Sequence, residues 1–260
     1  MTRLLALGLL AVAGVAFTQP VAAGDGEQAV AAPADLQAVE DVAAAVVAEV
    51  VSLPPAEAAA ALVDVPTGSL LFSKGQCVYV SAYTGSDLTH VGLVVRDDEG
   101  LPWVYDAMKG AGVRRSTIDA YLTDMEDAEL VLYRRVRPLA APAAARLVAA
   151  LEANLGRPYD VAHYLTGQPS EGLHCSEYAT HSLYESGVVR GRIAAADVSP
   201  AVLAANLDRM PSWALTDRIQ LEPPQPQKPA NLSCCEEWWW DTQECCRETG
   251  DWFSGLFFCR

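Results

Sequence analysis

The chain is short of positive charge. It carries 18 lysines and arginines against 33 aspartates and glutamates, a formal net charge of −15. A surface this acidic repels phosphate backbones and anionic lipid heads, so no nucleic-acid partner is expected. The glycine patterns that cradle nucleotides are missing. Neither G-x-x-x-x-G-K-[ST] nor G-x-G-x-x-G occurs, and no cofactor is expected. Metal-ligand spacings are equally scarce. There is no H-E-x-x-H and no paired C-x-x-C, so no metal site is expected. Long hydrophobic runs are confined to the start of the chain. Leu4 to Phe17 is apolar but too short for a membrane span. Arg3 precedes it and the small residues Val21-Ala22-Ala23 follow, the pattern of a secretory signal cleaved after Ala23. Export to the periplasm, the cell envelope or the outside is therefore the expected address.

What the chain does have is cysteine, seven in all, which suits an oxidising compartment. Five crowd the end: Cys234, Cys235, Cys245, Cys246 and Cys259. The others are Cys77 and Cys175. If Cys175 stays reduced, an even number remains for disulfides, whose connectivity sequence cannot choose. The same tail holds Trp238, Trp239, Trp240, Trp252 and Phe253. It is too small to bury a core of its own, so disulfides are expected to stabilise it. Its rings either stack on sugars or a membrane surface, or fold back onto the knob itself.

Composition shifts divide the chain. Residues 1–23 read as the signal peptide and 24–64 as a linker with N-terminal helices. Within the latter, Asp35 to Ser52 and Ala56 to Val63 have helical spacing, broken by Pro54 and Pro55. Residues 65–221 read as the compact domain, 222–230 as a Pro/Gln-rich spacer and 231–260 as the Cys/Trp-rich tail. In the domain, Ser69 to Ser73, Cys77 to Tyr83, Thr89 to Arg96, Pro102 to Ala107 and Glu129 to Val136 read as strands. Ser116 to Leu122, the stretch from Pro142 to Leu155, and the stretch from Pro200 to Leu207 behind Ser199 read as helices.

Cys175 stands out within this frame. It follows a loop with Gly167, Pro169 and Gly172, and opens a helix-like run that ends before Gly187. At a helix N-terminus the macrodipole and the free backbone N–H groups favour a thiolate, which is the nucleophilic form. Such a nucleophile needs a base. His90, held on the strongest strand, is favoured, and His163 is second. His174 adjoins the cysteine, and neighbouring side chains rarely aim at one point. His181 lies six positions along the helix and points away. Asp106, at the end of the strand that pairs with the His90 strand, is placed to accept the Nδ1 proton of that histidine. Asp119, Asp124 and Asp160 are weaker rivals.

These residues sit in recognisable blocks: Gly68-Ser69-Leu70-Leu71-Phe72, Thr89-His90-Val91-Gly92-Leu93-Val94, Tyr105-Asp106-Ala107, Gly112-Val113-Arg114, Gly156-Arg157-Pro158-Tyr159-Asp160 and His174-Cys175-Ser176-Glu177-Tyr178. Together they resemble the circularly permuted NlpC/P60 branch of the papain-like superfamily, closest to the YaeF/YiiX-type amidases. The resemblance covers about residues 65–210. It implies an α+β papain-like fold with a small antiparallel sheet packed against the nucleophile helix. By position it makes Cys175 the nucleophile, His90 the base and Asp106 the third member. Tyr159 matches a family tyrosine that either donates to an oxyanion or packs. Two positions depart from the pattern, which often has aspartate at Ser69 and glutamate at Asp106. The implied activity is hydrolysis or transfer at an amide or ester carbonyl through an acyl-thioester, with a small-molecule, peptide or lipid acyl substrate. The competing expectation is a silent envelope- or glycan-binding module on the same scaffold.

Overall fold

The computed structural model describes residues 49–75, 78–125, 127–191, 193–223, 228–229 and 231–257. Seven strands form one sheet: β1 (Val50–Leu53), β2 (Leu70–Lys74), β3 (Leu88–Arg96), β4 (Pro102–Met108), β5 (Gly112–Thr117), β6 (Glu129–Arg135) and β7 (Trp213–Leu221). Their spatial order is β1-β7-β6-β2-β3-β4-β5. β1 runs parallel to β7, and the remaining neighbours are antiparallel. The mixed α+β architecture is the expected one, with a larger sheet than expected and one parallel pair in it.

β3 is central because both of its faces are apolar. Residues 89 to 95 are all buried, and a strand covered on both sides reads as a continuous hydrophobic run rather than an alternation. On one face Val91, Leu93, Val95, Tyr105 and Ala107 form a core with Leu147 and Leu151 of α4 (Ala141–Glu152) and Tyr178, Ala179 and Leu183 of α6 (Cys175–Glu185). On the other, Val94, Val104, Leu130 and Leu132 pack with Ala58 and Ala59 of α1 (Pro55–Ala61) and Tyr121 and Leu122 of α3 (Ile118–Asp124). Local signals start the helices as their chemistry demands. The Thr117 side chain caps α3 by accepting from the Ala120 N–H. Ser199 does the same for Val202 at the head of α7 (Pro200–Leu207), whose proline sits where no N–H is needed.

Several expectations are corrected. Val78–Thr84, expected as part of a strand, is helix α2. Its valines and tyrosines favour extended backbone, but Gly75 and Gly85, at φ of 78° and 65°, break the chain on either side, and tertiary context overrides such propensity. Cys77 lies outside the described residues. Val50–Leu53, expected at the end of a helix, is strand β1, paired with Arg218 to Leu221; the rest of that segment lies outside the described residues. β5 occupies the ground where a helix was expected from Ser116, and Thr117 is instead the cap of α3. β7 was not anticipated at all. Its burial alternates irregularly, so period-2 patterning is weak.

The tail is α8 (Cys234–Phe257), a helix of 24 residues, rather than a disulfide knob. Cys234, Cys235, Cys245 and Cys246 are free and exposed. The geometry explains why. Cys234 and Cys245 stand roughly 16 Å apart along one helix at 1.5 Å per residue, whereas a disulfide needs Cα atoms about 5.5–6 Å apart. Cys259 lies outside the described residues. Among the described residues no helix is long and apolar enough to cross a membrane.

Candidate active site

Cys175 is the first residue of α6, and its side chain is buried. The residue before it builds the helix head. His174 is the N-cap: its Nδ1 accepts the Glu177 N–H at 3.3 Å, and Glu177 Oε2 accepts the His174 N–H at 3.4 Å. This is a capping box with imidazole in place of a hydroxyl. The other ring nitrogen, Nε2, lies 3.1 Å from the Ala196 carbonyl and donates to it. The cap therefore fixes both the tautomer and the ring plane.

His90 approaches the sulfur from the sheet. The β3–β4 ladder runs from Arg96 opposite Pro102 to Gly92 opposite Asp106 and stops there. Beyond that point β3 pairs only with β2, with His90 opposite Ser73. By strand alternation His90, Gly92 and Asp106 share a face. Asp106 is fully buried, and its Oδ2 lies 3.0 Å from His90 Nε2. The expectation of an Nδ1 contact is thus corrected: Asp106 takes Nε2, which leaves Nδ1 as the nitrogen for the sulfur. Cys175 and His90 are close enough for each to shift the other's ionisation. Tyr121 lies under the imidazole, ring centroids 6.3 Å apart and planes 29° from parallel. Gly92 makes room for that ring. A Cβ there would meet Val104 Cγ1 at 2.5 Å and the Tyr121 hydroxyl at 3.2 Å.

The far oxygen of Asp106 is also held. Arg114 Nε donates to Oδ1 at 2.9 Å, and Arg114 Nη1 donates to Asp124 Oδ2 at 2.6 Å. A buried carboxylate is costly unless paired. Here it is paired on both sides, by an imidazole and a guanidinium.

The electrostatics follow from these neighbours. Burial pushes the Cys175 thiol up, but the His90 charge and hydrogen bonds from His174 and His90 outweigh it and bring the group down to about 6. Burial pushes His90 down, but the Cys175 charge and the bond to Asp106 outweigh that and carry it up to about 10. The two titrate as a pair, and between those values it is a thiolate–imidazolium.

Other predicted residues fall elsewhere. His163 Nδ1 lies 3.4 Å from Glu177 Oε1, on the far side of the cap. Asp124 serves Arg114, and Asp160 accepts the Ala162 N–H at 2.7 Å. Asp119 sits in the first turn of α3. Tyr159 lines a small cavity beside Cys175, and burial with the neighbouring Cys175 charge pushes its hydroxyl up. Ser69 is buried and accepts the Arg135 N–H at 2.9 Å, a purely backbone duty.

Sequence reasoning set His174 aside, yet it lies close enough to Cys175 to bring the thiol down. An N-cap side chain turns back over the first turn of its helix, and that signal was present in the sequence. Arg114 was quoted only as part of a block. Its role rests on the β4–β5 register, which sets it opposite Asp106. Among the described residues no group of three or more His, Cys, Asp or Glu side chains is placed to hold a metal ion.

Comparison with known proteins gives this arrangement a context. The family described as "Permuted papain-like amidase enzyme, YaeF/YiiX, C92 family" matches residues 64–196, a span that includes His90, Asp106 and Cys175. Among solved structures, metalloprotein yiiX from Escherichia coli O157:H7 is similar at 19% identity, over 62% of this chain and 91% of that one, with a TM-score of 0.42. No curated protein matches. The family match spans just over half of the sequence, and the chain belongs to the permuted papain-like amidase family.

Proposed function

We propose that this amidase-family protein is a cysteine hydrolase or acyltransferase that opens an amide or ester bond through an acyl-thioester on Cys175. One observation carries the reading: Cys175 sits beside His90, whose Nε2 lies 3.0 Å from Asp106 Oδ2, with the thiol brought down to about 6.

The thiolate Sγ attacks the carbonyl carbon. A C–S bond forms and the carbonyl oxygen takes the displaced electron pair. Backbone N–H groups at the head of α6, Cys175 among them, are positioned to receive that oxyanion, with the helix dipole behind them. As the oxygen pair returns, the bond to the leaving nitrogen or oxygen breaks, and the His90 imidazolium supplies the proton it needs. The neutral imidazole then takes a proton from water or another acceptor, which attacks the thioester and releases Cys175. Asp106 accepts from Nε2 throughout, so it orients the ring and stabilises its cationic form. Export of the protein through the leader-like residues 1–23 would place this chemistry at the cell envelope or beyond.

Mass spectrometry of the intact protein after brief exposure to p-nitrophenyl acetate tests the mechanism. A single acetyl adduct is expected on the native protein and none on Cys175→Ala. An equal adduct on the variant would exclude Cys175 as the nucleophile.

A second reading is favoured by the tail. Trp238 and Trp239 of α8 are 67% and 56% exposed, and bare indoles suit a sugar face or a membrane interface. This binding role would add to catalysis or, in a silent protein, replace it. The side chains of Trp252 and Phe253 lie outside the described residues.

A further inference from the structure

The cavity beside Cys175 is small, about 30 Å³, and apart from the site's own thiol and imidazole its walls hold no charged side chain. Ten residues line it, none of them Lys, Arg, Asp or Glu. Besides His174 and Cys175 at the head of α6 and Thr89 of β3, its walls come from Val80 and Thr84 of α2, the Tyr159–Tyr164 segment that runs into α5 (Ala162–Thr166), and Ser199 and Pro200 at the head of α7.

The polar atoms in those walls are already used elsewhere. Thr84 Oγ1 donates to the Val80 carbonyl at 2.7 Å. Ser199 Oγ accepts the Val202 N–H at 3.2 Å. His174 spends both ring nitrogens on the Glu177 N–H and the Ala196 carbonyl. What faces the space next to the sulfur is therefore mostly carbon. A carboxylate entering it would lose its water, meet no lysine or arginine in the walls and approach the Cys175 thiolate, which is strongly unfavourable.

Size adds a second limit. A cavity needs about 10–15 Å³ to take one water, and one of about 150 Å³ takes a benzene ring. A cavity of about 30 Å³ therefore fits a substituent of two or three heavy atoms.

Resting on the reading of Cys175 as the nucleophile, we propose that the acyl group it accepts is short and uncharged, its carbonyl bearing a methyl to propyl substituent seated between Val80, Tyr159, Val161 and Tyr164. Long-chain and acidic acyl donors are excluded by the same walls. Val161 is the most adjustable of these residues, because it belongs to neither the helix head nor the Cys175–His90–Asp106 chain.

The test is kcat/KM on p-nitrophenyl acetate, propionate, butyrate, hexanoate and monosuccinate, with the rate of Cys175 alkylation by iodoacetamide as a control for folding. The three short esters should exceed hexanoate and monosuccinate by at least about tenfold, the scale on which a pocket discriminates chain length. Val161→Ala should move the optimum toward hexanoate, and Val161→Phe should depress butyrate relative to acetate, both with alkylation unchanged. Hexanoate or monosuccinate matching acetate, or ester ratios indifferent to both Val161 variants, would overturn the proposal. Acylation without chain-length preference overturns it alone. Acylation by none of the five esters overturns the nucleophile reading and this one with it.

Discussion

Two helices in this protein begin with cysteine, and they end in different chemistry. α6 opens on Cys175 with Glu177 in its first turn; α8 opens on Cys234 and Cys235 with Glu236 and Glu237 in its first turn. Both place sulfur in the positive end of a helix dipole. Cys175 is buried beside His90 and His174, which bring its thiol down to about 6. Cys234 and Cys235 are exposed to solvent, and no histidine occurs after His181. A helix terminus contributes only partial charge, screened at the surface. The comparison teaches that burial beside two histidines, and not a place at the head of a helix, sets Cys175 apart.

The sharpest way to break this contrast is to exchange the thiols' fates. Cys175→Ala should lower kcat/KM on an activated ester by at least about 10³-fold, while Cys234→Ser with Cys235→Ser should leave it within about twofold. A tail double variant that loses activity comparably would end the distinction. His90→Ala comes next, with a loss of about 10²–10⁴-fold, the range for removing a positioned general base.

The pH profile sharpens the same point. In the native protein Cys175 alkylation should rise as pH passes about 6, and turnover should fall as pH passes about 10, where His90 gives up its proton. Removing the imidazolium removes a charge that favours thiolate, so the alkylation midpoint in His90→Ala should move up toward the ordinary thiol range of about 8.5. An unmoved midpoint would assign the lowered value to His174 and the helix end rather than to His90.

A smaller effect is expected at Asp106. Its hydrogen bond to the imidazolium is charge-assisted, worth about 1.5–3 kcal/mol, so Asp106→Ala should cost about ten- to 150-fold in kcat. Asp106→Asn, whose carbonyl oxygen still accepts from Nε2, should recover part of it. Equal losses in the two variants would argue against an orienting bond. The smallest effect belongs to the tail. Removing residues 223–260 should leave ester turnover within about twofold, and under the binding reading it should release the protein from envelope fractions. Unchanged fractionation would dispose of that reading without touching catalysis.

Much of this arrangement was legible in the residues. The Thr89–Arg96 run reads as the clearest strand, and Ser199-Pro200 carries the cap-then-proline signal that opens a helix. His90 and Cys175 were singled out by residue type and by their places on a strand and a helix head. Other parts resisted. Val78–Thr84 carries strand-forming residues and folds as a helix. β5 and β7 present mixed faces, where burial does not enforce a clean period of 2. Arg114 resembles any solvated strand arginine until the β4–β5 register lays it against Asp106.

The sequence by itself determined the chemical inventory: one thiol at the head of a helix, one histidine early on a strong strand, and one aspartate on the next. These are local matters of residue type, turn and period. Only the tertiary structure decided that Nε2 rather than Nδ1 meets Asp106, that His174 reaches the sulfur and His163 does not, and that the tail cysteines stand apart. The reason is physical. Ionisation and hydrogen bonding depend on burial and on distances of a few ångströms between groups far apart in the chain, and those distances exist only once the sheet and helices have packed.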